Sequence, residues 1–335
     1  MKVLITDMRH DSIQEERTVL EPEGVDIESA FCRNEEQLIR RGRGADAFLV
    51  SFAPITRRVM LALPELKLIV RYGVGVDNVD VDAARELGKI VARVPDYCVE
   101  EVAAHAVALV LAGLRGLYPL SQALKDGQWV KHPAVEKLRR PAALTAGIVG
   151  LGRIGRRVGG LLQPLVGGIC YYDPFAAVGA AGATGTAGGV HGSTSREAGR
   201  GWQRVETLAD LVRRSQILTI HAPLNEKTRD LIDAEVLAEA RDLILINTAR
   251  AGLVNREALE AALDQGRVRF FGGDVFWQEP ADYSDARTTA FLQRRDVLIT
   301  PHMAWYSEES EREVRRKAAE EVLRFLRGQP LLHPV

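Results

Sequence analysis

Short apolar runs alternate with amphipathic segments along almost the whole chain. In the first hundred residues the runs are Val3–Thr6, Ala47–Val50, Leu66–Val70 and Ile90–Val94, each bounded by turn-forming or charged residues. Between them, Ile55–Leu63 and Val81–Leu87 carry helical spacing. Apolar strands alternating with helices predict a parallel sheet covered on both faces. Residues 1 to about 97 therefore read as one α/β unit. Val99–Leu117 predicts a long helix, with Val102, Ala106, Leu109, Val110 and Leu117 on one stripe. Gly113 on that stripe marks a close contact, and Pro119 is expected to end the helix. The more polar stretch from Leu120 to Arg140, with Trp129 and Pro133, reads as an arm or an oligomer contact.

A second series begins at Leu144. Its expected strands are Ala146–Val149, Ile169–Tyr172, Ile217–His221, Leu243–Asn247, Phe270–Asp274 and Val297–Thr300. Six strands with helices between most of them match a dinucleotide-binding doubly wound sheet. The fold class expected is thus α/β with two doubly wound parallel-sheet domains. Ser307–Leu326 predicts a final helix with no strand left to pair in the second series, so it is expected to pack back on the first domain. Ala176–Gly201 is rich in Gly, Ala, Ser and Thr, lacks hydrophobic periodicity, and reads as a flexible surface insertion.

Composition narrows the function classes. A length of 335 residues suggests about two domains, and a formal net charge of -1 offers no field that would attract nucleic acid or an anionic membrane. No apolar run reaches the roughly 18 residues of a membrane span. Met1–Asp7 reads as a strand and not as a signal peptide, so a cytoplasmic location is expected. Cys32, Cys98 and Cys170 are far apart and form no CxxC pair, which predicts reduced thiols and no metal site.

Gly147-Ile148-Val149-Gly150-Leu151-Gly152-Arg153-Ile154-Gly155 contains G-x-G-x-x-G after an apolar run and before a helical segment. In that context Gly150 permits a tight turn, Gly152 lets backbone approach a pyrophosphate, and Gly155 lets helix and strand pack closely. The phosphates would sit at the helix N-terminus, beside Arg153 and Ile154. Asp173 ends the next strand, near the expected spacing of about 20 residues, where a carboxylate accepts ribose hydroxyls and repels a 2′-phosphate. NAD is therefore the expected cofactor.

Three later strands end in Asn247-Thr248-Ala249-Arg250, in Gly273-Asp274-Val275-Phe276 followed by Glu279-Pro280, and in Thr300-Pro301-His302. Ligands of open α/β sheets lie beyond the carboxyl ends of the strands. Singly, Arg250 reads as a helix cap, Glu279 as a solvated acid and His302 as a core histidine. Together they suit reduction of a keto acid. Arg grips a carboxylate with two parallel hydrogen bonds. His exchanges a proton near neutrality, and a neighbouring carboxylate orients it and favours its charged form.

With these segments, Arg71-Tyr72-Gly73-Val74-Gly75-Val76-Asp77-Asn78-Val79-Asp80 and His221-Ala222-Pro223-Leu224, the chain resembles the D-isomer-specific 2-hydroxyacid dehydrogenases over nearly its whole length. The resemblance implies catalytic roles for Arg250 (carboxylate binding), Glu279 (orienting the histidine) and His302 (acid/base). It implies cofactor contacts from Gly150, Gly152, Arg153, Ile154, Gly155, Asp173, His221, Pro223, Thr248 and Asp274, the last near the nicotinamide carboxamide. Backbone N–H groups of Val74 and Gly75 are implied to hold the substrate carboxylate. It also implies a flavodoxin-like substrate domain from residues 1–98 and 299–335, a Rossmann NAD-binding domain at 99–298, and a homodimer.

A nearer resemblance is to the carboxyl-terminal binding protein subgroup, carried by the segments from Val94 to Ala103 and from Pro301 to Glu308. It places Trp305 beside the substrate, or else packing between domains, and raises an NAD-responsive corepressor-like binding protein as the alternative to an enzyme. Phosphoglycerate enzymes of the family often carry an added regulatory domain, and corepressors long tails; neither is expected here. Ala251 and Ala104 depart from the family pattern, where Gly and an acidic residue are usual.

Overall fold

The computed structural model describes residues 1–7, 12–130, 138–176 and 201–335. The interior of the expected insertion, 177–200, and the middle of the expected arm, 131–137, lie outside the described residues. The chain divides into two compact units, Met1–Cys98 with Tyr306–Val335, and Val99–Trp305.

The first unit runs β1 (Lys2–Ile5), α1 (Gln14–Leu20), β2 (Asp26–Ser29), α2 (Glu35–Arg41), β3 (Ala47–Val50), α3 (Arg57–Ala62), β4 (Leu68–Arg71), α4 (Val81–Glu86) and β5 (Ile90–Arg93). The five strands are parallel in the order β2-β1-β3-β4-β5, the flavodoxin-like winding. β3 lies at the centre and is wholly buried, as its uninterrupted apolar run requires. β2 was not expected. Its sequence Asp26-Ile27-Glu28-Ser29 pairs with β1 alone, and charged residues suit an edge strand that has no outer neighbour. Side chains of Asn34, Thr56 and Asp80 cap α2, α3 and α4 by accepting backbone N–H groups.

The second unit runs α5 (Val99–Arg115), α6 (Leu117–Lys125), β6 (Thr145–Val149), α7 (Arg153–Leu162), β7 (Gly168–Tyr172), β8 (Gln203–Arg204), α8 (Leu208–Arg214), β9 (Ile217–Ile220), α9 (Ala234–Ala238), β10 (Leu243–Asn247), α10 (Arg256–Asp264), β11 (Val268–Gly273), α11 (Ala286–Leu292) and β12 (Val297–Ile299). All seven strands are parallel, in the order β12-β11-β10-β9-β6-β7-β8. Counted from β6, this is the dinucleotide-binding winding with one strand added beyond the sixth. The extra count comes from β8, whose two residues are too few to show as a sequence pattern. Strand order reverses between β6 and β9, and there the glycine turn meets the segment that begins at His221.

The helix expected to stop at Pro119 stops instead at Gly116, which adopts a left-handed φ of 58°. Pro119 falls in the first turn of α6, where its missing N–H costs no hydrogen bond. Gly113 does mark a close approach, because a Cβ there would lie 2.5 Å from the Phe270 ring of β11. No single helix among the described residues is long and apolar enough to cross a bilayer.

After β12 the chain returns to the first unit as α12 (Glu308–Leu326), packed on α1, β3 and β4. Buried Arg315 of α12 meets buried Glu16 of α1 at 2.7 Å, and Tyr72 donates to the same carboxylate at 2.8 Å. The return lies at Tyr306, later than the 298/299 boundary expected, because the segment after β12 is tied to the second sheet by hydrogen bonds to Asp274.

Candidate active site

The turn after β6 is closed by its glycines. Gly150 has φ 89°, and a Cβ on it would stand 2.9 Å from the Ala222 amide nitrogen beyond β9. A Cβ on Gly155 would stand 2.1 Å from the Gly150 carbonyl oxygen, so helix α7 can start this close to the turn only without one. Gly152, the N-cap of α7, is the opposite case, for a Cβ there meets nothing within 4 Å. The protein thus leaves open space against the first free amides of a ten-residue helix. Arg153 begins that helix exposed, and Ile154 is half-buried.

Asp173 ties the end of β7 to this turn. Its Oδ2 accepts the Leu151 amide at 2.7 Å, and its Oδ1 accepts the Phe175 and Ala176 amides at 2.8 and 3.0 Å. A carboxylate oxygen has lone pairs beyond these, so ribose hydroxyls still find acceptors. At the end of β9, His221 Nε2 contacts the buried Thr219 hydroxyl at 2.8 Å, and burial pushes the imidazole down to about 3, which keeps it neutral. The Pro223 carbonyl accepts the Thr228 hydroxyl at 2.6 Å. Beyond β10, the Thr248 hydroxyl is buried and has no hydrogen-bond partner among the described residues. Such a group normally has a partner, so an open cradle at Gly152 and an orphaned Thr248 both fit a bound dinucleotide.

The three expected reactive groups follow β10, β11 and β12. Asn247, the last residue of β10, donates from Nδ2 to the Arg250 carbonyl at 2.9 Å and accepts the Ala249 amide at 3.0 Å. Its side chain thereby fixes the turn that carries Arg250. Glu279 Oε1 accepts the Phe276 amide at 2.8 Å, and the Glu279–Pro280 bond is cis. Glu279 Oε2 lies 2.6 Å from His302 Nδ1. Burial raises the Glu279 carboxyl, but the hydrogen bonds from His302 and Phe276 and the charges of His302 and Arg250 outweigh it and hold it below its ordinary value. An ionised oxygen can only accept, so Nδ1 carries the proton and Nε2 is the nitrogen left to exchange one.

Asp274 and Trp305 hold positions with structural content beyond their expected roles. Asp274 is buried, and its oxygens accept the Met303 and Ala304 amides at 2.9 and 2.6 Å. The Trp305 indole N–H donates to the His302 carbonyl at 3.1 Å. Val74 and Gly75 belong to the first unit, on the loop after β4, where the Val74 carbonyl accepts Arg93 at 3.2 Å. Thr300 carried no role in the sequence reading and His105 was not singled out there, and both lie beside Asp274. The Thr300 hydroxyl contacts Asp274, and His105 of α5 contacts Thr300. The signal was present, since His105 is the one polar side chain of α5 between Glu101 and Arg115.

Residues 107–304 match the model of the NAD binding domain of D-isomer specific 2-hydroxyacid dehydrogenases. The chain is 33% identical over 334 residues to the D-3-phosphoglycerate dehydrogenase of Methanocaldococcus jannaschii, covering 98% of this chain and 58% of that protein. It is 33% identical over 300 residues to the protein of that name from Mycobacterium bovis, covering 88% of this chain and 52% of the other. The chain therefore spans little more than half the length of these curated relatives. Among solved structures, a protein from Thermus thermophilus superposes with a TM-score of 0.81 at 28% identity, covering 100% of both chains.

Proposed function

Because the chain belongs to the D-isomer specific 2-hydroxyacid dehydrogenase family, we propose that it interconverts a 2-keto acid and a D-2-hydroxy acid with NAD. One observation carries the reading. His302 Nδ1 sits 2.6 Å from an ionised Glu279 that also feels the charge of Arg250, all beyond the carboxyl ends of β10, β11 and β12.

In this reading the Arg250 guanidinium binds the substrate carboxylate and polarises the adjacent carbonyl. A bound nicotinamide supplies or accepts the hydride. As the carbonyl carbon gains hydride, its oxygen takes the proton of His302 Nε2, and Glu279 stabilises the imidazolium that held it. In the reverse direction the same nitrogen removes the hydroxyl proton. Gly150, Gly152, Arg153, Ile154 and Gly155 hold the pyrophosphate, Asp173 the adenosine ribose, and His221, Pro223, Thr248 and Asp274 the nicotinamide end. The family resemblance supports substrate contacts from the amides of Val74 and Gly75 and, separately, from the Trp305 ring, an indole favouring an apolar side chain. The names of the relatives place 3-phosphoglycerate beside such acids among the substrates to be compared.

Exposed Leu117 and Leu124 on α6, with exposed Trp129 just beyond, support a homodimer formed through the second unit. Three buried free cysteines support a reducing, cytoplasmic setting. The test of the catalytic reading is NADH oxidation by the purified protein across a panel of 2-keto acids, with product stereochemistry assigned. Wild type is expected to exceed His302→Ala by about 100-fold or more on at least one acid. Equal rates on every acid would sink it.

A further inference from the structure

We propose that Thr300, at the end of β12, and His105, on α5, are positioning residues for His302, acting through Asp274. The inference rests on the reading of His302 as the acid/base group.

His302 has a φ of 57°, a left-handed backbone that residues with side chains seldom adopt. Something must hold the turn there, because its conformation aims the imidazole. The ties are few and specific. His302 N donates to the Thr300 carbonyl at 3.0 Å, and the Trp305 indole donates to the His302 carbonyl at 3.1 Å. The next two amides, Met303 and Ala304, both donate to Asp274 at 2.9 and 2.6 Å. One buried carboxylate thus anchors the residues that follow His302.

What orients that carboxylate is Thr300. Its hydroxyl lies 2.5 Å from Asp274 Oδ1 and 3.4 Å from the Gly273 carbonyl. The charged acceptor is both nearer and stronger. A hydroxyl has one hydrogen, and an ionised carboxylate can only accept. The hydrogen therefore goes to Asp274, and the Thr300 oxygen presents a lone pair to His105 Nε2 at 2.9 Å. That nitrogen must be the N–H donor. The direction of the whole chain follows: His105 donates to Thr300, Thr300 donates to Asp274, and Asp274 accepts Met303 and Ala304.

His105 belongs to a 17-residue helix whose apolar face packs on β10 and β11. The Nε2 donor is thus delivered from a rigid element 195 residues away in sequence. The chain touches no reacting atom. Its contribution is the angle at which His302 is presented.

The experiment compares Thr300→Val, which keeps shape and removes the hydroxyl, with Thr300→Ser, which keeps it. His105→Leu and His105→Gln form the second pair, Gln retaining an N–H donor. In wild type and all four variants, kcat and KM are measured with 2-keto acid, NADH affinity is measured by fluorescence, and hydrogen exchange is measured at Met303 and Ala304. Thr300→Val and His105→Leu are expected to lower kcat about 10- to 100-fold, with KM for the keto acid within about threefold of wild type and any loss of NADH affinity smaller than the loss of kcat. Thr300→Ser and His105→Gln are expected to recover most of the loss. Exchange at Met303 and Ala304 is expected to accelerate about tenfold in Thr300→Val. A kcat unchanged in Thr300→Val, or a Ser variant as impaired as the Val variant, overturns the proposal. Should wild type reduce no 2-keto acid, the functional reading fails separately. Exchange then decides the positioning chain, acceleration in Thr300→Val supporting it and unchanged protection overturning it.

Discussion

Replacing Glu279 with Gln removes a charge and little else in volume. In the native protein Oε1 accepts the Phe276 amide at 2.8 Å and Oε2 faces His302 Nδ1 at 2.6 Å. A glutamine that keeps its carbonyl oxygen on Phe276 must turn its NH2 group toward Nδ1, so the proton on Nδ1 loses an acceptor and meets a donor. A flipped amide spares His302 but sets two donors facing each other at Phe276. Either way the imidazolium loses its counter-charge. Two unit charges about 4 Å apart at an effective dielectric near 20 attract by about 4 kcal/mol. The two side chains are 32% and 37% exposed, so solvent screens much of that. A remainder of about 1.4 kcal/mol corresponds to about one pH unit.

The sign follows from which form the carboxylate favours. Without it the charged ring loses the partner that stabilises it. In keto-acid reduction, which needs the protonated ring, the falling limb of kcat/KM is expected about one unit lower in Glu279→Gln. In hydroxy-acid oxidation, which needs the neutral ring, the rising limb moves down by the same amount. The assay is NADH formation or consumption under saturating cofactor from about pH 5 to 9 in constant ionic strength. Profiles that superimpose after scaling, in both directions, would refute the coupling of Glu279 to His302.

Two further outcomes are expected. Asp173→Ala removes the charge opposed to a 2′-phosphate together with acceptors for Leu151, Phe175 and Ala176; NAD affinity should fall about 10- to 100-fold and the preference over NADP should shrink, measured by fluorescence titration, and an unaltered ratio would contradict the assignment. Arg315→Met strands the buried Glu16 carboxylate without its 2.7 Å partner, so urea unfolding of the variant should show a loss of about 3–5 kcal/mol, much of it restored by adding Glu16→Gln, and an unmoved midpoint would show that the pair carries no such weight.

Much of the fold was legible because it is written locally. Strands buried on both faces need mostly apolar runs; β3 is apolar throughout, β1, β6 and β10 carry a single polar residue at one end, and β9 is broken only by the buried Thr219. Elements whose burial is partial left weaker traces. β2 is a polar edge strand, and β8 has two residues. The end of α5 was set by the left-handed Gly116, whereas Pro119 drew attention in the sequence and then proved compatible with the first turn of α6.

For the candidate site, the order of motifs pointed to Arg250, Glu279 and His302, since each lies in the segment that follows a strand and ligands of such sheets gather there. The sequence by itself determined which residue types stand at those strand ends and which turn can approach a phosphate, because these depend on spacing and on the absence of a Cβ. Only the tertiary structure decided that His105 and Thr300 reach Asp274, that Asp274 holds the amides after His302, and that Arg315 finds Glu16. Hydrogen bonds are satisfied within about 3 Å in space, whatever the separation along the chain, and no local periodicity records which distant donor will arrive.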